Sequence, residues 1–224
     1  MGIEKLKQDI VNTIRMLERA EHIDFNGHVS ARIPGTDQIL INDRRASRSA
    51  LTSDDIIQMD LDGNVITDEG QPPNEFPLHT EIYRSREDVD AVAHTHPKWS
   101  TLFTIAKVPL RPVIIQGAVI GDAPIFPKSY SISNTEIAKE LAETLDDNYV
   151  VLMKAHGAAI VGQNLTEVFA RSVFLEENAY RQYMAGQIGY AHSLEDDEIN
   201  HMKEFIWQPK NIQKVWDNHL SKLY

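Results

Sequence analysis

The chain has 224 residues, 42% hydrophobic and 25% charged, enough apolar material for a buried core and too much for wholesale disorder. Its formal charge of −11 argues against nucleic acid or an anionic membrane as partner, because phosphate binding needs a positive field. It has no cysteine, which excludes disulfides, thiolate metal sites and thiol nucleophiles, and no apolar run long enough for a membrane span.

The first segment places Ile3, Leu6, Ile10, Ile14 and Leu17 at three- and four-residue steps, one face of an amphipathic helix. It lacks the continuous apolar core of a signal peptide, so a soluble, cytoplasmic protein is expected. Asn26-Gly27 reads as a turn, "HVSARI" and "QILIN" as strands, and "DRRASRSALTSDD" as a polar loop. "IIQMDLDGNVI" predicts a hairpin about Asp62-Gly63. "QPPNEFPLHTEIYRSRED" opens with prolines and continues as a short helix, "VDAVAH" is a buried strand, and "RPVIIQGAVI" predicts a further strand or extended segment. Ser133 and Glu136 have capping-box spacing ahead of a helix carrying Ile137, Leu141 and Leu145. "NYVVLMKAHGAAIVG" reads as strand, turn, strand. A long helix follows, with Asn164 and Glu167 suited to capping it and Gly186 to stopping it. The tail is acidic and then helical, with Phe205, Trp207, Val215 and Trp216 as apolar anchors. There is no internal repeat or linker. The pattern predicts one α/β domain over residues 1–224, with a mostly antiparallel sheet flanked by helices.

The chemistry concentrates at four places. Alternate residues of a strand share a face, so His94 and His96 would project together, with Pro97 leaving them at the strand's rim. Two imidazoles so placed can hold one divalent ion, although a hydrogen-bonded or surface pair has the same spacing. His156 sits at a turn between two apolar strands, as a third ligand or a turn histidine. Three histidines at strand ends would form a triad with an open position, as a catalytic metal requires. Glu75, at the start of the short helix, is either a first-turn carboxylate or the general base of that site. His79, one turn on, either contacts substrate, braces another site residue or packs its ring in the helix.

Together these pieces resemble the class II aldolase/adducin family. The matching stretches are "GHVSARI", "LTSDDIIQMDLDGNV", "NEFPLHTEIYRSREDVDAVAHTHP" and "MKAHGAAIVGQNLTEVFARSVFLEENA", in the expected order across residues 5–190, with residues 191–224 as a helical tail. The resemblance implies an α/β/α fold and a homotetramer with active sites between subunits. It also implies His94, His96 and His156 as ligands of a divalent metal, zinc before Mn2+, Co2+ or Fe2+, and Glu75 as catalytic acid/base.

The departures shape the substrate expectation. His28 stands where the family's sugar-phosphate aldolases have asparagine. "RRASRS" replaces their Ser-Gly loop, and Pro72, Pro73 and Asn74 occupy the place of their paired serines. The tyrosine expected near "RPVIIQG" is also missing. The phosphate cradle is dismantled, and the chain looks more like the branch containing decarboxylases. The expected function is a metal-dependent carbon–carbon lyase, decarboxylase or aldolase, acting on a small non-phosphorylated hydroxy or oxo carboxylate. Arg44, Arg45 and Arg48 are candidates for holding that carboxylate bidentately, with His28, Asn74 and His79 as further substrate contacts. The alternatives are a non-haem Fe(II) oxygenase on the same scaffold, a sugar-phosphate-type aldolase with an altered phosphate site, and a non-catalytic adducin-like module.

Overall fold

The computed structural model describes residues 2–67 and 69–223. In chain order its elements are α1 (Ile3–Arg19), β1 (His28–Arg32), β2 (Gln38–Asn42), β3 (Ile56–Asp60), α2 (Phe76–Ser85), β4 (Ala91–Thr95), α3 (Lys98–Ala106) and α4 (Gly117–Ile120). They continue with β5 (Ile125–Phe126), α5 (Thr135–Leu145), β6 (Val150–Met153), β7 (Gly157–Gly162), α6 (Leu165–Ile188), α7 (Asp196–Ile206) and α8 (Pro209–Leu220).

The strands form a seven-stranded sheet in the order β3-β2-β1-β4-β7-β6-β5. Every pairing is antiparallel except β5 with β6. Side-chain alternation sorts the sheet into two cores. Val29, Ala31, Ala91, Ala93 and Ile160 face a cluster built with α1, α6 and α8. Val92, Val151, Ala159 and Val161 face a second cluster built with α2 and α5. This is the mostly antiparallel sheet flanked by helices that the pattern predicts, in the α/β/α arrangement that the resemblance implies. Two apolar sheet faces each demand a helical cover.

Several local expectations are corrected. "RPVIIQGAVI" forms no strand. Its backbone is satisfied instead by one side chain of α6: Asn178 Oδ1 accepts from the amides of Val113 and Ile114, and Asn178 Nδ2 donates to the Arg111 carbonyl. The segment then closes into α4. The hairpin about Asp62-Gly63 is only half realised. Asp60 caps the turn by accepting from the Asn64 amide, and the second arm contributes a lone bridge between Met59 and Val65. The cap of α5 is Asn134, which accepts from the Ile137 amide, and not Ser133. Asn164 caps α6 as expected. Gly186 does not stop that helix, which runs to Ile188, because one glycine costs a helix only about 1 kcal/mol. In the tail, Trp216 is buried against Phe169 and Trp207 stacks on the Arg171 guanidinium, whereas Phe205 is exposed and anchors nothing. Helix α3 and strand β5 have no counterpart in the sequence expectation. Among the described residues no helix is long and apolar enough to cross a membrane.

Candidate metal centre and active site

Three central strands deliver the chemistry to one end of the sheet. In the β1–β4 pairing His28 lies directly opposite His94, and β7 pairs alongside so that Ala159 is the neighbour of His94 on its other side. The β6–β7 turn, in which Ala155 takes φ +51°, brings His156 to the same edge. His96 lies one residue beyond β4 and keeps an extended course because its amide donates to the His22 carbonyl at 2.9 Å. His94 Nε2 and His96 Nε2 are consequently 3.0 Å apart. The ring of His156 stands 4.9 Å from that of His94, centroid to centroid.

The protonation of these rings follows from their outer partners. His94 Nδ1 faces the Ala158 carbonyl at 3.1 Å, and a carbonyl only accepts, so Nδ1 carries the hydrogen. His96 Nδ1 faces the Asp24 carboxylate at 3.3 Å and is the donor for the same reason. Both Nε2 atoms therefore present lone pairs to each other. Burial holds the His94 imidazole well below its ordinary pKa, and burial lowers that of His156 too, so both rings are neutral. Converging imidazole lone pairs, those of His94 and His96 oriented through the other ring nitrogen, are the donor set of a divalent metal. The available nitrogens of His94, His96 and His156 all lie within 4.8 Å of one another, close enough to share one ion. The residues fit the group.

Asp24 was not foreseen, because its carboxylate reaches His96 from a loop seventy-two residues upstream that carries no recognisable pattern. Asp24→Ala removes the acceptor that aims His96, and metal affinity is expected to fall about 10- to 100-fold, measured by competition with a chromogenic chelator. Asp24→Asn, whose amide oxygen still accepts, should retain most of it.

Glu75 precedes α2 and makes no capping bond to it. Its carboxylate turns instead into the histidine cluster. Oε1 accepts from Ser131 Oγ at 2.9 Å and from the Ile132 amide at 2.8 Å. Oε2 lies 3.4 Å from His94 Nε2 and 3.7 Å from His28 Nε2. Burial alone would raise its pKa, but the His28 hydrogen bond, the neighbouring rings and the Ile132 amide outweigh it and hold the group far below the usual carboxylate range. The Ser131 contact was also not foreseen, since it comes from the loop ahead of α5.

The cluster opens onto a cavity of about 720 Å³ whose wall includes His28, Glu75, His96, His156 and Tyr130. The expected substrate contacts divide. Arg44 and Asn74 face the cavity and bind each other, Nη1 to Oδ1 at 2.6 Å, while Arg44 Nε donates to Gln71. Arg45 also lines the cavity, but its fork is engaged by Asp43 in two bonds of 2.7 and 3.1 Å. Arg48 lines the cavity as well, but it is largely buried and donates to the carbonyls of Gly27, Asp43 and Ala46, fastening the arginine loop to the start of β1. His79 is fully buried behind His28 and does not reach the cavity. Tyr180 and Tyr183 stack on Trp99, away from the cluster, whereas Tyr130 of the same chain stands at the cavity mouth.

Residues 8–183 match the family model described as the class II aldolase and adducin N-terminal domain. The chain belongs to the class II aldolase and adducin family. Among relatives of this family, the 3,4-dihydroxyphthalate decarboxylase of Arthrobacter keyseri is 28% identical over 212 residues, covering 88% of this chain and 85% of that protein. The L-fuculose phosphate aldolase of Methanocaldococcus jannaschii is 31% identical over 173 residues, 77% of this chain and 92% of that one. A solved L-fuculose 1-phosphate aldolase superposes with a TM-score of 0.84 at 24% identity, covering 92% of this chain and 98% of the other, and shows the shared class II aldolase fold. Both activities named among these relatives are lyase activities.

Proposed function

We propose that this class II aldolase family member is a divalent-metal-dependent carbon–carbon lyase acting on a small, non-phosphorylated hydroxy or oxo carboxylate, with decarboxylation favoured over aldol cleavage. The observation that carries the reading is the convergence of three imidazoles and one carboxylate, Glu75, on an arginine-lined cavity. His94, His96 and His156 would hold the metal, zinc first, with Mn2+, Co2+ and Fe2+ as alternatives. Bound there, a divalent ion supplies the electrophile that stabilises negative charge developing on a substrate oxygen.

The chain's own groups account for the remaining steps. Arg44, an exposed arginine of the cavity wall whose Nη2 makes no hydrogen bond among the described residues, receives the substrate carboxylate with Asn74 beside it. Glu75 takes the proton of the substrate hydroxyl. The bond from the substrate carbon to the carboxylate carbon then breaks, carbon dioxide leaves, and the electron pair stays on the substrate. Glu75 returns its proton to that carbon, so the step needs no oxidant or reductant. Ser131 and Ile132 keep the carboxylate aimed throughout. The same groups run an aldol cleavage when the bond broken lies next to a carbonyl, which is why one family houses both reactions. The reading includes the homotetramer implied by the family, with the cavity mouth near a neighbouring subunit.

The test pairs metal analysis with a substrate panel. The wild-type protein should carry about one divalent metal per chain and the His96→Ala variant none. Hydroxylated aromatic and 2-oxo carboxylates should release carbon dioxide, while sugar phosphates should not be cleaved. Oxygen uptake with an iron-loaded protein, or metal binding that survives His96→Ala, would overturn the assignment.

A further inference from the structure

Behind the cavity wall runs a line of four buried polar side chains that the proton balance above does not use. His28 Nδ1 is 2.6 Å from His79 Nε2, His79 Nδ1 is 2.6 Å from Ser30 Oγ, and Ser30 Oγ is 2.8 Å from the Tyr83 hydroxyl. His79 and Ser30 are completely buried, and His28 and Tyr83 nearly so. The register explains the alignment. His28 and Ser30 alternate onto the same face of β1, and His79 and Tyr83 are one turn apart on α2, which covers that face.

Each internal bond of such a line has one hydrogen, so the line has two self-consistent orders. In the inward order His28 donates from Nδ1, His79 passes its hydrogen to Ser30, Ser30 donates to Tyr83, and the Tyr83 hydrogen must find an acceptor of its own. Among the described residues the Tyr83 hydroxyl has no side-chain partner besides Ser30. The inward order leaves a buried phenol hydrogen unmade. It also turns a bare His28 Nε2 lone pair toward the ionised Glu75 Oε2, two acceptors facing at 3.7 Å. In the outward order Tyr83 donates to Ser30, Ser30 to His79 Nδ1, and His79 Nε2 to His28 Nδ1. His28 then presents Nε2–H to Glu75 and the cavity. Both ends of the line select the outward order independently.

We propose that Tyr83, Ser30 and His79 form a polarised hydrogen-bond line that fixes His28 as an Nε2–H donor to a substrate oxygen, and so excludes it from the metal. This is not decided by proximity alone, because His28, Glu75 and His94 also bring ligand atoms within 4.8 Å of one another. A nitrogen that carries hydrogen has no lone pair for a cation. The substrate that fits therefore presents two acceptor oxygens side by side, one toward the three-histidine site and one toward His28. Tyr83, Ser30 and His79 are positioning residues, and His28 is the group that touches substrate. The substrate half of the proposal rests on the lyase reading, whereas the tautomer of His28 does not.

The experiment is long-range 1H–15N correlation of the histidine rings in zinc-loaded protein, with Tyr83→Phe and Ser30→Ala beside the wild type. The expected result is a neutral Nε2–H tautomer for His28 in the wild type. In both variants the line loses its source or its middle, and His28 becomes a mixture of tautomers while metal content stays at the wild-type value. With any substrate the panel yields, kcat in the Tyr83→Phe variant falls about tenfold, with KM changed much less, as expected when a preset donor becomes a mixture. An Nδ1–H tautomer for His28, a zinc-coordinated Nε2, or a tautomer unmoved by both variants would overturn the line. Failure to find any substrate would instead count against the lyase reading alone, since the ring spectra decide the line without turnover.

Discussion

Glu75→Gln will leave the metal content of the protein unchanged and lower kcat by about 10³. The substitution is nearly isosteric, and the glutamine oxygen can keep both anchors of the native Oε1, Ser131 Oγ and the Ile132 amide. The amide nitrogen then occupies the place of Oε2, 3.4 Å from His94 Nε2 and 3.7 Å from His28 Nε2. The three imidazoles remain, so the ion remains. What disappears is a group that can accept a proton from the substrate and return it to carbon. A positioned side-chain base contributes about 10²- to 10⁴-fold to a rate, and the loss should fall within that range. Substrate affinity should change far less, because the loop arginines are untouched. Steady-state kinetics beside elemental analysis reads both quantities. A variant that keeps more than about a tenth of wild-type kcat would remove Glu75 as the proton carrier. One that loses its metal would make Glu75 a ligand instead.

The parts of this site that could be read from the sequence are those whose geometry is local. The pairing of His94 with His96 follows from strand alternation and nothing else, and the two Nε2 atoms do converge. His156 was visible because its apolar flanks could only be strands, which put the turn between them at the sheet edge. Glu75 could be located but not given its role from pattern alone. Its carboxylate turns away from the helix it precedes only because Ser131 and Ile132 wait fifty-six and fifty-seven residues downstream. Asp24, Ser30 and Tyr83 escaped for the same reason: each matters through a partner that the fold, and not the neighbouring sequence, supplies. The error over "RPVIIQGAVI" has the mirror-image cause. Its apolar residues have the composition of a strand, but Asn178 of a distant helix takes up the backbone groups that a sheet neighbour would have taken. The arginine loop shows a third limit. Arg44, Arg45 and Arg48 are chemically alike on paper and all line the cavity, and only their partners separate one held by Asn74 and Gln71, one paired with Asp43 and one bound to backbone carbonyls.

Gly157→Ala will unfold the protein at a melting temperature about 9 °C lower, a loss of about 3 kcal/mol. Gly157 opens β7 where that strand runs beside the end of β4, and a Cβ built there would stand 2.1 Å from the Thr95 carbonyl oxygen and 3.2 Å from His96 Cδ2. The first distance is far inside van der Waals contact, and the atom it meets is backbone, which cannot rotate aside. Relief requires β4 and β7 to separate at the end where Thr95 pairs with Ala158, in the interior of the sheet. Those residues also carry the proposed metal centre. His94 Nδ1 donates to the Ala158 carbonyl, and His96 follows Thr95, so a shift that accommodates one methyl group moves two of the three imidazoles. Metal affinity should therefore fall together with stability, and chelator competition on the folded variant at low temperature separates the two effects. Gly186→Ala is the natural comparison. Its Cβ would meet nothing within 4 Å, and it lies in a helix, so it should melt at or above the wild-type temperature. If Gly157→Ala melts within about 2 °C of the wild type, the close approach of β4 and β7 at the metal centre is wrong, and with it the placement of His96 against His94.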